Sequence, residues 1–137
     1  TQLFYDNQAY FRFVEKCRQE GIHVPIIPGI KPLTRLAQLQ VVPKVFHCDL
    51  PEALVREAQK CTTDEQVKQL GIEWSVAQCK ELLAHGCPSL HFYTVSAVDS
   101  IAEIAKRIKY RSVILNNKEY NEKYTKDVNM NKIKEIL

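Results

Sequence analysis

The first thirty residues run extended stretch, amphipathic helix, extended stretch, and that succession constrains the fold more than any other feature. Thr1-Gln-Leu-Phe-Tyr-Asp6 alternates, with Gln2, Phe4 and Asp6 on one side and Thr1, Leu3 and Tyr5 on the other. Asp6 and Asn7 then offer an N-cap, and Tyr10, Phe11, Phe13, Val14 and Cys17 recur at helical spacing until Gly21 ends the run. Val24-Pro-Ile-Ile-Pro-Gly-Ile30 is too short for a helix and rich in β-branched residues. It reads as a buried strand entered at Pro25 and left at Pro28-Gly29. Strand, helix and strand in that order form a crossover unit, which implies parallel strands.

The pattern continues downstream. Residues 34–42 read as a short helix closed by Pro43, and Asp49-Leu50-Pro51 opens another that runs to about Cys61. Thr63-Asp64 caps a longer helix that reaches about Gly86, with Gly71 marking a bend or a close helix contact. Residues 89–95 form a third strand, followed by a helix over 99–109 whose apolar face uses Ile101, Ile104, Ala105 and Ile108. From residue 111 the composition turns rich in Asn and charge, without Gly or Pro, so 1–110 is taken as one unit and 111–137 as an extension of unknown role. Three βα units suit a doubly wound sheet or part of a (β/α)8 barrel, and periodicity does not choose between them. The chain contains no Gly-rich phosphate loop, which weakens a nucleotide-binding doubly wound fold.

Composition removes several functional classes. A chain of 137 residues with 45% apolar content can bury a substantial core, and it contains no apolar run long enough to span a membrane. A net charge of +3, from 19 basic and 16 acidic residues, is too mild to argue for nucleic acid or an anionic membrane as partner. Cys17, Cys48, Cys61, Cys79 and Cys87 are odd in number and scattered, with no Cys-x-x-Cys pair. They fit free thiols in a cytoplasmic protein better than a disulfide framework. His47-Cys48 and His85-Gly86-Cys87 do not repeat at a second site with metal-ligand spacing, so no metal site is expected.

Several blocks in order then carry a family signature. Thr1-Gln-Leu-Phe-Tyr-Asp6, Tyr10-Phe-Arg-Phe-Val14 with Cys17, Gly21-Ile22, Pro25-Ile-Ile-Pro-Gly-Ile30, Gly71-Ile-Glu with Cys79-Lys-Glu-Leu-Leu83, and His91-Phe-Tyr-Thr94 together resemble methylenetetrahydrofolate reductase. The resemblance covers residues 1 to about 110. It implies α/β architecture, with this chain as the last three βα units of a (β/α)8 TIM barrel. Such a barrel needs about 250 residues, so the first five strands are expected upstream. It also implies a flavin-dependent oxidoreductase that reduces 5,10-methylenetetrahydrofolate to 5-methyltetrahydrofolate. FAD is the cofactor, NADH or NADPH the co-substrate, and the full-length protein is expected to be a homo-oligomer.

By the same resemblance, Gln2 matches a glutamine that hydrogen-bonds the pterin and also meets the nicotinamide. An amide suits that edge because it donates and accepts at once. Gln38 falls where bacterial members place a second folate-contacting glutamine, with Gln40 as the competitor after a small shift of register. The acid that opens the substrate's ring, and most of the flavin site, are expected upstream, so no catalytic residue is assigned and this stretch alone is expected to be inactive. The chain departs from the family in two places. Ser96 and Ala97 stand where bacterial relatives carry Asn-Arg, and Val42 stands where some have an aromatic residue over the ligand. His91 reads as structural, His47 as an exposed loop residue, and Asp6 as a cap. The alternative function is a non-catalytic βα module that binds a partner or complements a separate half-barrel.

Overall fold

Leu3, Gly29 and His91 lie side by side in parallel, and this lateral alignment organises the chain. The computed structural model describes residues 1–95 and 97–108. Its elements are α1 (Asn7–Gln19), β1 (Gly29–Ile30), α2 (Gln38–Phe46), α3 (Glu52–Gln59), α4 (Asp64–Ala84), β2 (His91–Phe92) and α5 (Val98–Arg107). β1 and β2 pair with Gly29 opposite His91 and Ile30 opposite Phe92, and the 1–5 stretch joins β1 through one bridge at Leu3. The parallel crossovers expected from the sequence are present. Ser96 and residues 109–137, which include the whole extension 111–137, lie outside the described residues.

The regular strands are much shorter than the sequence patterning predicts, for identifiable reasons. Pro25 and Pro28 have no amide hydrogen to give a ladder, which confines β1 to two residues. Along residues 1–5, side chains of α4 take carbonyls that a neighbouring strand would otherwise occupy. Trp74 Nε1 donates to Tyr5 O at 3.1 Å, and Gln78 Nε2 donates to Phe4 O at 3.0 Å. Beyond β2, only Tyr93 N continues the ladder, donating to Ile30 O at 2.9 Å.

The helix expected over 34–42 is displaced to Gln38–Phe46, and Pro43 lies inside it instead of ending it. Gln38 Oε1 accepts from Thr34 N at 2.6 Å and Arg35 N at 3.2 Å, which holds residues 34–37 in a turn ahead of the helix. Pro43, the sixth of nine residues, has no amide hydrogen to give the carbonyl of Leu39, yet the helix continues through it, and His47 closes it with a left-handed φ of 51°. The helix after it begins at Glu52 with Pro51 as its flanking residue, so Asp49 is not its cap. Asp6 does cap α1, accepting from Gln8 N at 2.9 Å.

α4 is the centre of the helical layer, packing against α1, α3 and α5. Thr63 and Gln66 form a reciprocal capping box at its start. Cys87 N to Leu82 O and Gly86 N to Leu83 O close its end in a Schellman pattern. Its apolar residues divide between two cores. Ile72, Val76, Cys79 and Leu82 meet Tyr10, Ile30, Leu90 and Ile104, whereas Val67 meets Leu3, Tyr5, Leu33, Val42 and Leu54. The register makes Phe4, Ile30 and Phe92 lateral neighbours, and all three pack against the first core; Leu3, Tyr5 and Tyr93 pack against the second. Arg107 ties α5 to α4 by pairing with both Glu103 and Glu73.

Gly71 marks a close approach of α4, but to the loop after β1 and not to another helix. A Cβ there would stand 1.9 Å from the carbonyl oxygen of Leu33, which is backbone and fully buried. Gly71→Ala therefore forces α4 away from the loop after β1, and it is expected to destabilise the fold by about 3 kcal/mol or more. Urea denaturation followed by circular dichroism measures this, and a loss below about 1 kcal/mol contradicts the packing described.

Candidate functional site at the strand ends

A cavity of about 400 Å³ opens where the parallel stretches end, lined by Gln2, Leu3, Lys31, Phe46, Tyr93 and Val95. Each of the three parallel stretches and helix α2 contribute to it. Lys31 follows β1 directly, Tyr93 and Val95 follow β2, and Phe46 ends α2. Most of its wall is apolar, with one amide and one ammonium group as polar contributions. This is the usual composition of a ligand cleft: hydrophobic walls with a few placed polar groups.

Tyr93 sets the width of the cleft. Its ring lies over Gly29, where a Cβ would meet Tyr93 Cε2 at 2.8 Å, and its hydroxyl donates to Thr1 O at 3.1 Å. One side chain thus spans from the last parallel stretch to the first, and it fits because β1 offers no side chain beneath it. His91 packs edge-on against Tyr93 with ring centroids 4.8 Å apart, a structural role consistent with its sequence reading.

Gln2 is exposed at the rim and donates from Nε2 to Phe46 O at 2.7 Å. That bond joins the first parallel stretch to the end of α2. It leaves the Gln2 carbonyl oxygen and one amide hydrogen for a ligand. Gln38 is placed differently. It lines neither cavity bordered by Gln2, and its Oε1 is committed to Thr34 and Arg35. Gln40 is exposed. The two glutamines proposed from sequence are therefore not brought together on one cavity wall.

Val42, the other position of interest in α2, is buried in the second core. The aromatic residue bordering the cleft from this helix is Phe46, one turn further on. Lys31, Phe46 and Tyr93 were not singled out in the sequence. A charged residue directly after a buried strand was the available signal for Lys31; Phe46 was hidden by the four-residue displacement of α2. Partial burial holds the Lys31 ammonium below the ordinary lysine pKa. Ala97 is buried and flanks α5, with its N–H bonded to Thr94 O at 2.9 Å.

A second cavity, of about 330 Å³, lies on the flank between the start of α1 and α4 and is lined by residues including Tyr5, Asn7, Trp74, Gln78 and Glu81. Asn7 Nδ2 donates to Gln78 O at 3.0 Å and Glu81 Oε2 at 2.7 Å, which locks α1 to α4. Among the described residues no group of three His, Cys, Asp or Glu side chains is arranged to hold a metal ion. No described helix is long and apolar enough to cross a membrane.

The fold and the cleft define an α/β chain with parallel crossovers and an apolar cavity bordered by the residues that follow β1 and β2. The sequence profile of methylenetetrahydrofolate reductase matches residues 1–109, and the chain belongs to that family. It is 39% identical over 97 residues to methylenetetrahydrofolate reductase (NADH) 1 of Arabidopsis thaliana, covering 70% of this chain and 16% of the plant protein. It is 34% identical over 110 residues to a probable methylenetetrahydrofolate reductase (NADPH) of Caenorhabditis elegans, covering 79% and 17%. It is 30% identical over 100 residues to 5,10-methylenetetrahydrofolate reductase of Pectobacterium carotovorum, covering 72% and 34%. The matched stretch thus spans about one-sixth of the plant and nematode relatives and one-third of the bacterial one.

The thiols take no part in the cleft. All five cysteines are free, and burial pushes Cys79 up to about 12 and Cys87 up to about 11. Both are almost wholly protonated at pH 8, so neither presents a reactive thiolate. Maleimide labelling of the native chain at pH 8, read by peptide mass spectrometry, is expected to spare Cys79 until denaturant is added. Labelling of Cys79 at the rate of a free thiol contradicts the core placement.

Proposed function

We propose that this chain supplies the folate-binding end of an enzyme that reduces 5,10-methylenetetrahydrofolate to 5-methyltetrahydrofolate with NADH or NADPH, in one-carbon and methionine metabolism. The observation that carries the reading is Gln2 on the rim of an apolar cleft at the strand ends, in a chain whose family match runs through residues 1–109. In a (β/α)8 barrel the ligand site lies at that face.

The winding supports a barrel. Three parallel stretches lie in sequence order, and the helices of successive crossovers pack as neighbours, α1 on α4 and α4 on α5. The 1–5 stretch shows pairing to β1 on one side. A groove of about 340 Å³ lined by Thr1, Gln2, Phe4, Ala9, Tyr10 and Phe13 borders it, and Phe13 is 51% exposed. We place the preceding βα unit of the barrel against that groove, with residues 1–110 as the closing portion. The free thiols fit a reducing cytoplasm.

In this reading the residues of the cleft bind and orient. The rings of Phe46 and Tyr93 offer apolar faces to a flat heterocycle, and Gln2 offers a donor and an acceptor to its edge. Gln38 fixes the turn ahead of α2, and so the position of Phe46; its Nε2 is the group it keeps for a ligand. The cleft lining contains no carboxylate, and Asp6 is engaged as a cap, so the proton that opens the substrate ring comes from elsewhere in the enzyme. FAD supplies hydride transfer in this family when bound. The residues described here do not by themselves fit its pyrophosphate, having no Gly-rich loop, and no step is assigned to it.

The test uses the full polypeptide that carries this chain. It is expected to bind flavin, to oxidise NADH or NADPH, and to form 5-methyltetrahydrofolate. Gln2→Ala is expected to raise the KM for the folate about tenfold, the worth of a hydrogen bond or two at a ring edge. A folded polypeptide without a flavin spectrum and without coenzyme oxidation overturns the reading.

A further inference from the structure

Among the described residues, Lys31 stands at the cleft without a counter-ion. It is the residue immediately after β1, so its backbone is held by the parallel pairing while its side chain lines the cavity beside Gln2, Phe46 and Tyr93. Among the described residues its Nζ has a single long contact, 3.5 Å to the neutral carbonyl of Val95. An ammonium carries three donors, so this contact leaves it largely unsatisfied. Among the described residues no carboxylate lies within ion-pair distance of it, whereas Arg56, Lys60 and Lys68 each have one and Arg107 has two. Partial burial makes the missing partner matter, since a desolvated charge is unfavourable until it is paired. The depressed pKa is the other face of the same desolvation.

We propose that Lys31 recognises an anionic substituent of the ligand whose ring lies against Phe46 and Tyr93. This rests on the reading of the cleft as a folate site and adds a specificity element to it. Two ligands of such an enzyme carry a suitable anion: the glutamyl carboxylates of a folate and the pyrophosphate of a nicotinamide dinucleotide. Both present oxygens to which an ammonium donates charge-assisted hydrogen bonds. The competing role for such a lysine is cover, its methylene stem screening Leu3 and Phe46 while the head reaches water. Lys31→Met separates the two because it keeps the stem and removes the charge.

The test is equilibrium binding to the full polypeptide, wild type and Lys31→Met, at low and high salt. The probes are folic acid, folic acid dimethyl ester and NADH. If Lys31 pairs with the carboxylates, wild type binds folic acid about tenfold more tightly than the ester. Lys31→Met then abolishes that difference, Lys31→Arg retains most of it, and salt weakens it. If the partner is the pyrophosphate, Lys31→Met weakens NADH about tenfold and leaves the two folates equal. Unchanged affinity of Lys31→Met for all three probes overturns the proposal while leaving the folate reading intact. Failure of wild type to bind either folate overturns the folate reading and this inference with it.

Discussion

The lateral alignment of Leu3, Gly29 and His91 decides what the rest of the chain can do. Parallel stretches in register end at one level, so the residues that follow them emerge on the same side of the sheet. Lys31, Tyr93 and Val95 share a cavity for that reason, and Gln2, one residue ahead of the Leu3 bridge, borders it from the first stretch, although the four are spread over more than ninety residues of sequence. The alignment depends on the absence of a side chain at Gly29. Tyr93 lies across that position and bonds back to Thr1, joining the first parallel stretch to the last. A larger residue at 29 would lift the ring and separate the stretches whose ends form the cleft.

The helical layer transmits this order outward. α4 touches both cores, approaches the loop after β1 through Gly71, and satisfies the carbonyls of Phe4 and Tyr5 with Gln78 and Trp74. It therefore replaces part of the ladder that a longer strand would need. This accounts for a fold that keeps parallel connectivity with little regular strand, since unpaired buried carbonyls are costly wherever they occur.

Much of this was legible in the sequence, and the failures have physical causes. Helix starts were read correctly where a side chain makes the cap, as at Asp6 and Thr63. The start of α2 is not legible from apolar spacing, because its determinant is Gln38 folding back onto Thr34. Proline is an imperfect stop signal: α2 runs through Pro43, whereas Pro25 and Pro28 truncate a strand that apolar patterning extends. Of the site, Gln2 lines the cleft as a rim residue. Gln38 does not line it, and its turn directs instead the helix that carries Phe46. Lys31 and Tyr93 could be valued only after the register was known, because their proximity to Gln2 is a product of parallel pairing and not of spacing along the chain.

In the proposed enzyme a folate lies across the ends of the three parallel stretches. Hydrogen–deuterium exchange of the full polypeptide, with and without folic acid, tests this most directly. Bound folate is predicted to slow exchange in peptides covering residues 1–5, 29–33 and 91–95 together, and to leave those covering 74–81 of α4 unchanged. Protection confined to α4, or absent from all three strand ends while folate is bound, would contradict it.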